Sequence, residues 1–172
     1  MSGPAWYERF GRIGKRLSLS ERYYERGLYY YEKNKLDLAI ADLDQAINEE
    51  PKRGEFYVAR GLMLLQSGRP DEAEEDFAYG LALDPTQWLA HYGRGIYAFD
   101  AGDYSKAIDC FSRAQRLAAE RPEVYYYRAV AFYMDGKTNE AIQDMTVAQN
   151  LLKDDDPRRK DTGKWLSFFQ KG

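Results

Sequence analysis

The side chains that most often do chemistry are scarce in this chain: one histidine, His91, and one cysteine, Cys110, lie among 172 residues. A nucleophile–base–orienter set needs an imidazole held by a second polar group, and a zinc site needs several nitrogen and sulfur ligands. Neither can be assembled from one residue of each kind, so no catalytic residue, metal ligand or cofactor is expected. GRIGKR at 11–16 lacks the GxxxxGK[S/T] spacing that wraps backbone amides around a phosphate. DEAEED at 71–76 spreads its carboxylates around an outer helix face, as a solvated surface does. Phenol, by contrast, is abundant. Fifteen tyrosines include YYERGLYYY at 23–31 and YYYRAVAFY at 125–133, side chains suited to stacking and to surfaces with an apolar body and a polar tip.

The two tyrosine stretches are 102 residues apart, three times 34, and the shorter period runs through the chain. Tyr23, Tyr57, His91 and Tyr125 form one column; Gly27, Gly61, Gly95 and Ala129 form the next. Tyr30, Leu64, Ala98 and Phe132 form a third, and Ala39, Ala73, Ala107 and Ala141 an unbroken fourth, each alanine followed four residues later by Leu43, Phe77, Phe111 or Met145. Small residues let two helices approach and the large ones fill the space beside them. Asn34, Gly68, Gly102 and Gly136 tolerate the left-handed conformation that ends a helix, and Pro70 suits a first helical turn. This pattern resembles the tetratricopeptide repeat, a 34-residue unit of two antiparallel helices.

The resemblance implies an all-α, right-handed superhelix of four such pairs with N- and C-terminal capping helices. Its repeats are expected at 20–53, 54–87, 88–121 and 122–155, with a basic amphipathic segment at 1–19 and a capping helix at 156–172. In that last helix Trp165, Leu166 and Phe169 should cover the last pair, Gly163 continues the glycine column, and Arg158, Arg159, Lys160 and Lys164 should face water.

Arg26, Arg60, Arg94 and Arg128 stand beside the glycine column, where the family commonly has leucine. They could bind an anion, but Asp42, Asp76 and Asp144 recur on the turn of the second helix that should face them. Guanidinium–carboxylate pairs between helices are therefore expected. In the third repeat Cys110 replaces the aspartate, leaving Arg94 to Asp109, a neighbouring repeat or a ligand.

In the family the first helices line a concave groove that receives a peptide or a helix. The stripe facing it here comprises Tyr24, Leu28 and Tyr31, then Val58, Leu62 and Leu65, then Tyr92, Ile96 and Phe99, then Tyr126, Val130 and Tyr133. Its middle column, Leu28, Leu62, Ile96 and Val130, is entirely aliphatic, and the bordering charges Glu21, Glu25, Glu32, Glu55, Asp100 and Glu123 are acidic. Family members that hold acidic chaperone tails carry a lysine–asparagine–arginine clamp; Tyr24, Leu28, Ala59, Leu89 and Gly93 stand at those positions, so that function is not carried over. Tyrosines without interleaved cations also make a poor platform for nucleic acid. The expected partner is an apolar, basic, helical or extended protein segment, and the expected role a non-catalytic adaptor or assembly factor. The competing role is a structural subunit of a larger, membrane-associated complex held through its termini and outer face.

Residues 1–18 have the opposite charge balance, with Arg9, Arg12, Lys15 and Arg16 against Glu8. Trp6, Phe10, Ile13 and Leu17 share one helical face, though Gly11 and Gly14 weaken a helix there. Three fates compete for the segment: packing on the first helix as a leading half-repeat, filling the groove of its own or a second chain to make a homo-oligomer, or lying on an anionic membrane surface. A net charge of −3, 44% hydrophobic and 31% charged residues and a single cysteine fit a folded protein of a reducing compartment. The opening residues lack a secretory signal pattern. A cytoplasmic location is expected, peripheral to a membrane if residues 1–18 reach one.

Overall fold

The computed structural model describes residues 17–171, and the readings of residues 1–16 lie outside them. The described residues form nine α-helices, divided between two compact units that meet at Pro85 and Thr86. The first unit holds α1 (Leu19–Glu32), α2 (Leu36–Glu49), α3 (Gly54–Gln66) and α4 (Pro70–Leu83). The second holds α5 (Trp88–Asp100), α6 (Tyr104–Leu117), α7 (Pro122–Met134), α8 (Thr138–Leu151) and α9 (Arg158–Phe169). Within each unit every helix packs on the next one in sequence.

Local chemistry sets the helix ends. Ser18 opens α1 with a capping box: its Oγ accepts from the Glu21 amide at 3.2 Å, and the Glu21 carboxylate accepts from the Ser18 amide at 2.8 Å. The first helix of each pair closes on a residue of positive φ, Asn34 at 55° and Gly68, Gly102 and Gly136 at 78–79°. One residue further on, Lys35, Arg69, Asp103 and Lys137 donate backwards to Tyr30, Leu64, Ala98 and Phe132 carbonyls at 2.8–2.9 Å, the Schellman arrangement that turns the chain into the second helix. Pro70 and Pro122 occupy first helical positions, where no amide is missed.

Each pair is held by size complementarity. Ala39, Ala73, Ala107 and Ala141 are fully buried, as are Leu43, Phe77, Phe111 and Met145. A Cβ added to Gly95 would lie 2.5 Å from the Phe111 ring, and one on Gly61 2.7 Å from the Phe77 ring. Where the column holds Ala129, the facing residue in the same cluster is the slimmer Met145. Gly163, which continues the column in sequence, has only the Gln149 amide at 3.6 Å from a built Cβ, so no close approach requires a glycine there.

The α9 helix packs on α8 through buried Phe169 and half-buried Trp165 and Leu166. Arg159 does not face water as expected. Its Nη1 donates at 3.0 Å to the carbonyls of Gln149 and Leu152, which the end of α8 leaves without helical partners. Among the described residues, no helix is long and apolar enough to cross a membrane.

Candidate functional site

The arginines beside the glycine column resolve into structural pairs. Arg26 donates through Nε and Nη2 to both Asp42 oxygens at 2.6 Å, Arg60 to Asp76 at 2.8 and 2.7 Å, and Arg128 to Asp144 at 2.6 and 3.0 Å. These are bidentate bonds between the two helices of a pair. The third nitrogen links pairs: Arg60 Nη1 reaches Asp44 on α2 at 2.6 Å, and Arg128 Nη1 reaches Ser112 on α6 at 3.1 Å. Each guanidinium also lies 5.4–5.7 Å from the ring three residues earlier, Tyr23, Tyr57 or Tyr125. Side-chain exposure falls from 38% at Arg26 to 24% at Arg60 and 13% at Arg128. The guanidinium donors are engaged by the protein's own carboxylates, so an anion-binding ladder is not what these three positions form.

In the first unit, α1 presents Tyr24, Leu28 and Tyr31, and α3 presents Leu62 and half-buried Leu65, whereas Val58, expected on the same stripe, is fully buried against Gly80 of α4. Tyr31 is exposed; Leu28 and Leu62 are half-buried. Tyr24 is partly absorbed into the core, its ring 5.1 Å from that of fully buried Phe56. Burial, with Glu55 and Glu25 nearby, pushes the Tyr24 phenol from its ordinary 10 up to about 12. A raised phenol pKa contributes stability that is fully present below the unfolded value and is lost as pH rises through the folded one. The chain should therefore lose on the order of 2 kcal/mol between about pH 10 and pH 12 from this group. Alkaline denaturation of Tyr24→Phe against the parent checks it; an unchanged slope over that window would refute the assignment.

The acidic border of this unit is partly neutralised. Arg53, at the start of α3, stands 2.6 Å from Glu55, 3.5 Å from Glu21 and 3.6 Å from Glu50, its guanidinium 4.8 Å from the Phe56 ring centre. Sequence reading missed it because it precedes the stripe; the signal available was a cation three residues ahead of an aromatic.

In the second unit, Tyr92, Ile96 and Phe99 lie on α5 and Tyr126, Val130 and Tyr133 on α7, all half-buried. Tyr92 sits among Trp88, Phe111 and Tyr127, with ring centres 5.8–6.1 Å away. Tyr127 was not anticipated: burial and the nearby Tyr126 and Asp100 raise its phenol pKa as it fills the space between α5 and α7. The stripe along α7 is partly covered by α9. Trp165 Nε1 donates to Tyr126 Oη at 2.7 Å, Tyr133 stacks on Phe169 at 4.8 Å, and Val130 joins the same cluster. Indole and phenyl rings one helix further on thus cover much of what α7 presents. Exposed Phe168 (52%) and Met134 (49%) carry the apolar surface on beyond them.

Helix pairs recurring every 34 residues, with an apolar stripe on the first helix of each that is aromatic–aliphatic in three of the four, define a helical-repeat interaction scaffold. The tetratricopeptide repeat family matches residues 24–87 and 92–157, and the chain belongs to that family, whose repeats generally serve as non-catalytic scaffolds for protein–protein contact. None of the curated proteins matches the chain in sequence. Among solved structures it is similar to a MamA fragment from Desulfovibrio magneticus RS-1, 20% identical over 91% of this chain and 86% of that one, with a TM-score of 0.74. It is similar to PilF of Pseudomonas aeruginosa, 18% identical over 89% and 69%, TM-score 0.77. It also resembles the first repeat domain of Spaghetti (RPAP3) bound to an HSP90 peptide, 19% identical over 69% and 91%, TM-score 0.63. These likenesses concern the fold.

Proposed function

We propose that the chain is an adaptor or assembly factor that holds an apolar protein segment, helical or extended and carrying some positive charge, against the first helices of its repeats. The observation that carries this reading is the middle column. Leu28, Leu62, Ile96 and Val130 are aliphatic in all four repeats and none is fully buried, so α1, α3 and α5 keep apolar surface within reach of a partner, and α7 keeps what α9 leaves uncovered. Tyr24, Tyr31, Tyr92, Phe99, Tyr126 and Tyr133 flank that column with large rings that lose little side-chain entropy on contact. Carboxylates outnumber cations around it, which favours a basic segment over the acidic peptide held by the RPAP3 domain.

Leu62→Glu and Ile96→Glu discriminate this reading from attachment through the termini and outer face, which exposed Leu83, Leu117 and Leu151 at the ends of the second helices would serve. Each glutamate should leave the thermal midpoint within a few degrees and reduce cross-linked partner recovery from the native cell at least tenfold. Undiminished recovery with both variants would refute binding through the first helices.

A further inference from the structure

Between α5 and α7 the chain supplies its own rings. Trp88 and Tyr127 pack against the buried cluster that holds Ala114 of α6, with the Tyr92 ring 6.1 Å from Trp88 and 5.8 Å from Tyr127. The Arg121 guanidinium lies 5.0 Å from the Trp88 ring centre. One repeat later the frame recurs without those rings. Ala148 follows Ala114 by 34 residues, Tyr126 follows Tyr92 and Leu152 follows Ala118, but Pro122 stands in place of Trp88 and Asp161 in place of Tyr127. A hollow of about 230 Å³ is left between α7, α8 and α9, walled by Pro122, Tyr126, Tyr127, Ala148, Leu152 and Thr162.

Those walls suit an apolar occupant. Ala148, Leu152 and Thr162 are buried, and the Thr162 hydroxyl is already engaged: it donates to the Arg159 carbonyl at 2.8 Å and accepts from the Gln149 amide at 3.3 Å. Trp165 holds Tyr126 in place, its Nε1 donating to Tyr126 Oη at 2.7 Å. The volume lies below the roughly 300–1,000 Å³ of small-molecule sites and matches one large side chain. Half-buried Glu123 and exposed Arg158 complete the lining. Arg158 commits Nε and Nη2 to the Asp156 carboxylate at 2.7–3.2 Å, so the Glu123 carboxylate is the charge left to meet an incoming cation.

Resting on the adaptor reading above, we propose that this hollow anchors the partner segment by one aromatic side chain, with a lysine or arginine beside it in the segment meeting Glu123. A ring seated there regains, against Tyr126 and Tyr127, the kind of ring contacts that Trp88 makes inside the chain one repeat earlier. Rings buried in such pockets are where interface binding energy concentrates.

The test titrates the methyl-labelled full chain with tryptamine, indole-3-propionate and hexylamine. Tryptamine should shift the Ala148 and Leu152 methyl resonances saturably and bind about tenfold tighter than the other two, which lack the cation or the ring. Glu123→Gln should remove the preference for tryptamine over indole-3-propionate. Pro122→Trp places an indole at the first helical position, as Trp88 does on α5, so it should hold or raise the thermal midpoint and abolish the shifts. Cross-linked partner recovery should fall about tenfold in Pro122→Trp and measurably in Glu123→Gln, which keeps the packing intact. Unmoved Ala148 and Leu152 methyls, or equal binding of hexylamine or indole-3-propionate, would overturn the proposal. Undiminished recovery with Pro122→Trp and Glu123→Gln, while Leu62→Glu and Ile96→Glu still lose it, would sink the anchor and leave the adaptor reading standing. Recovery unchanged in all four variants would sink both, even where tryptamine binds.

Discussion

Phe111→Ala is expected to lower the unfolding free energy by about 3–5 kcal/mol, the range for removing a fully buried aromatic ring. The ring is fully buried and lies over Gly95, where an added Cβ would come within 2.5 Å of it. It also stands 5.9 Å from the Tyr92 ring centre and 6.2 Å from that of Tyr127. Removing it empties the space between α5 and α6 and withdraws support from two rings on the first helices. The converse change locates the cause. Gly95→Ala gains about 1 kcal/mol of helix propensity but forces a methyl into the ring, costing about 1–3 kcal/mol, so it should be neutral to destabilising. In a Phe111→Met background, which copies the Ala129–Met145 pairing, the same substitution should stabilise. Urea unfolding of the four proteins measures this coupling, and Gly95→Ala stabilising equally in both backgrounds would refute the size-complementarity account.

Asp144→Ala is expected to cost about 3 kcal/mol, at the lower end of the range for breaking a buried ion pair. Arg128 would keep its charge in a site only 13% exposed, between the Tyr125 and Phe132 rings, with Ser112 its remaining named acceptor. The loss should shrink at the equivalent pairs. Asp76→Ala leaves Arg60 a second carboxylate, Asp44, and Asp42→Ala leaves Arg26 at 38% exposure, where solvent screens the charge and the cost falls below about 1 kcal/mol. Replacing both partners, Arg128→Leu with Asp144→Leu, should recover most of the loss, because well-packed apolar residues replace a buried pair with little penalty. Urea midpoints for the three alanine variants and the double leucine variant test the order; equal losses at all three aspartates would contradict it.

The arginine–aspartate pairs were legible because both partners belong to one repeat. Arg26–Asp42, Arg60–Asp76 and Arg128–Asp144 are all separated by sixteen residues, a spacing fixed once two helices and their turn have constant length. The glycine–phenylalanine contacts were legible for the same reason. The stripe of the candidate site was legible only as a set of positions. Tyr24 and Tyr31 are one helical face in sequence, yet one packs on Phe56 and the other stays exposed, because Tyr24 lies within reach of the large ring at the start of α3 and Tyr31 is two turns further along α1.

What the sequence by itself determined is the repeat: a 34-residue period, two helices per unit, a small residue facing a large one, a cation facing an anion, and a shortage of catalytic groups. Those properties follow from hydrophobic periodicity and local backbone preference, which act over distances shorter than one unit. The tertiary structure decided what happens between successive pairs. It set Arg53 among Glu21, Glu50 and Glu55, linked Arg60 to Asp44, and laid Trp165 and Phe169 over Tyr126 and Tyr133. Those contacts depend on how one helix pair is tilted and shifted against the next. That geometry comes from the summed packing of many side chains and from no single spacing in the chain.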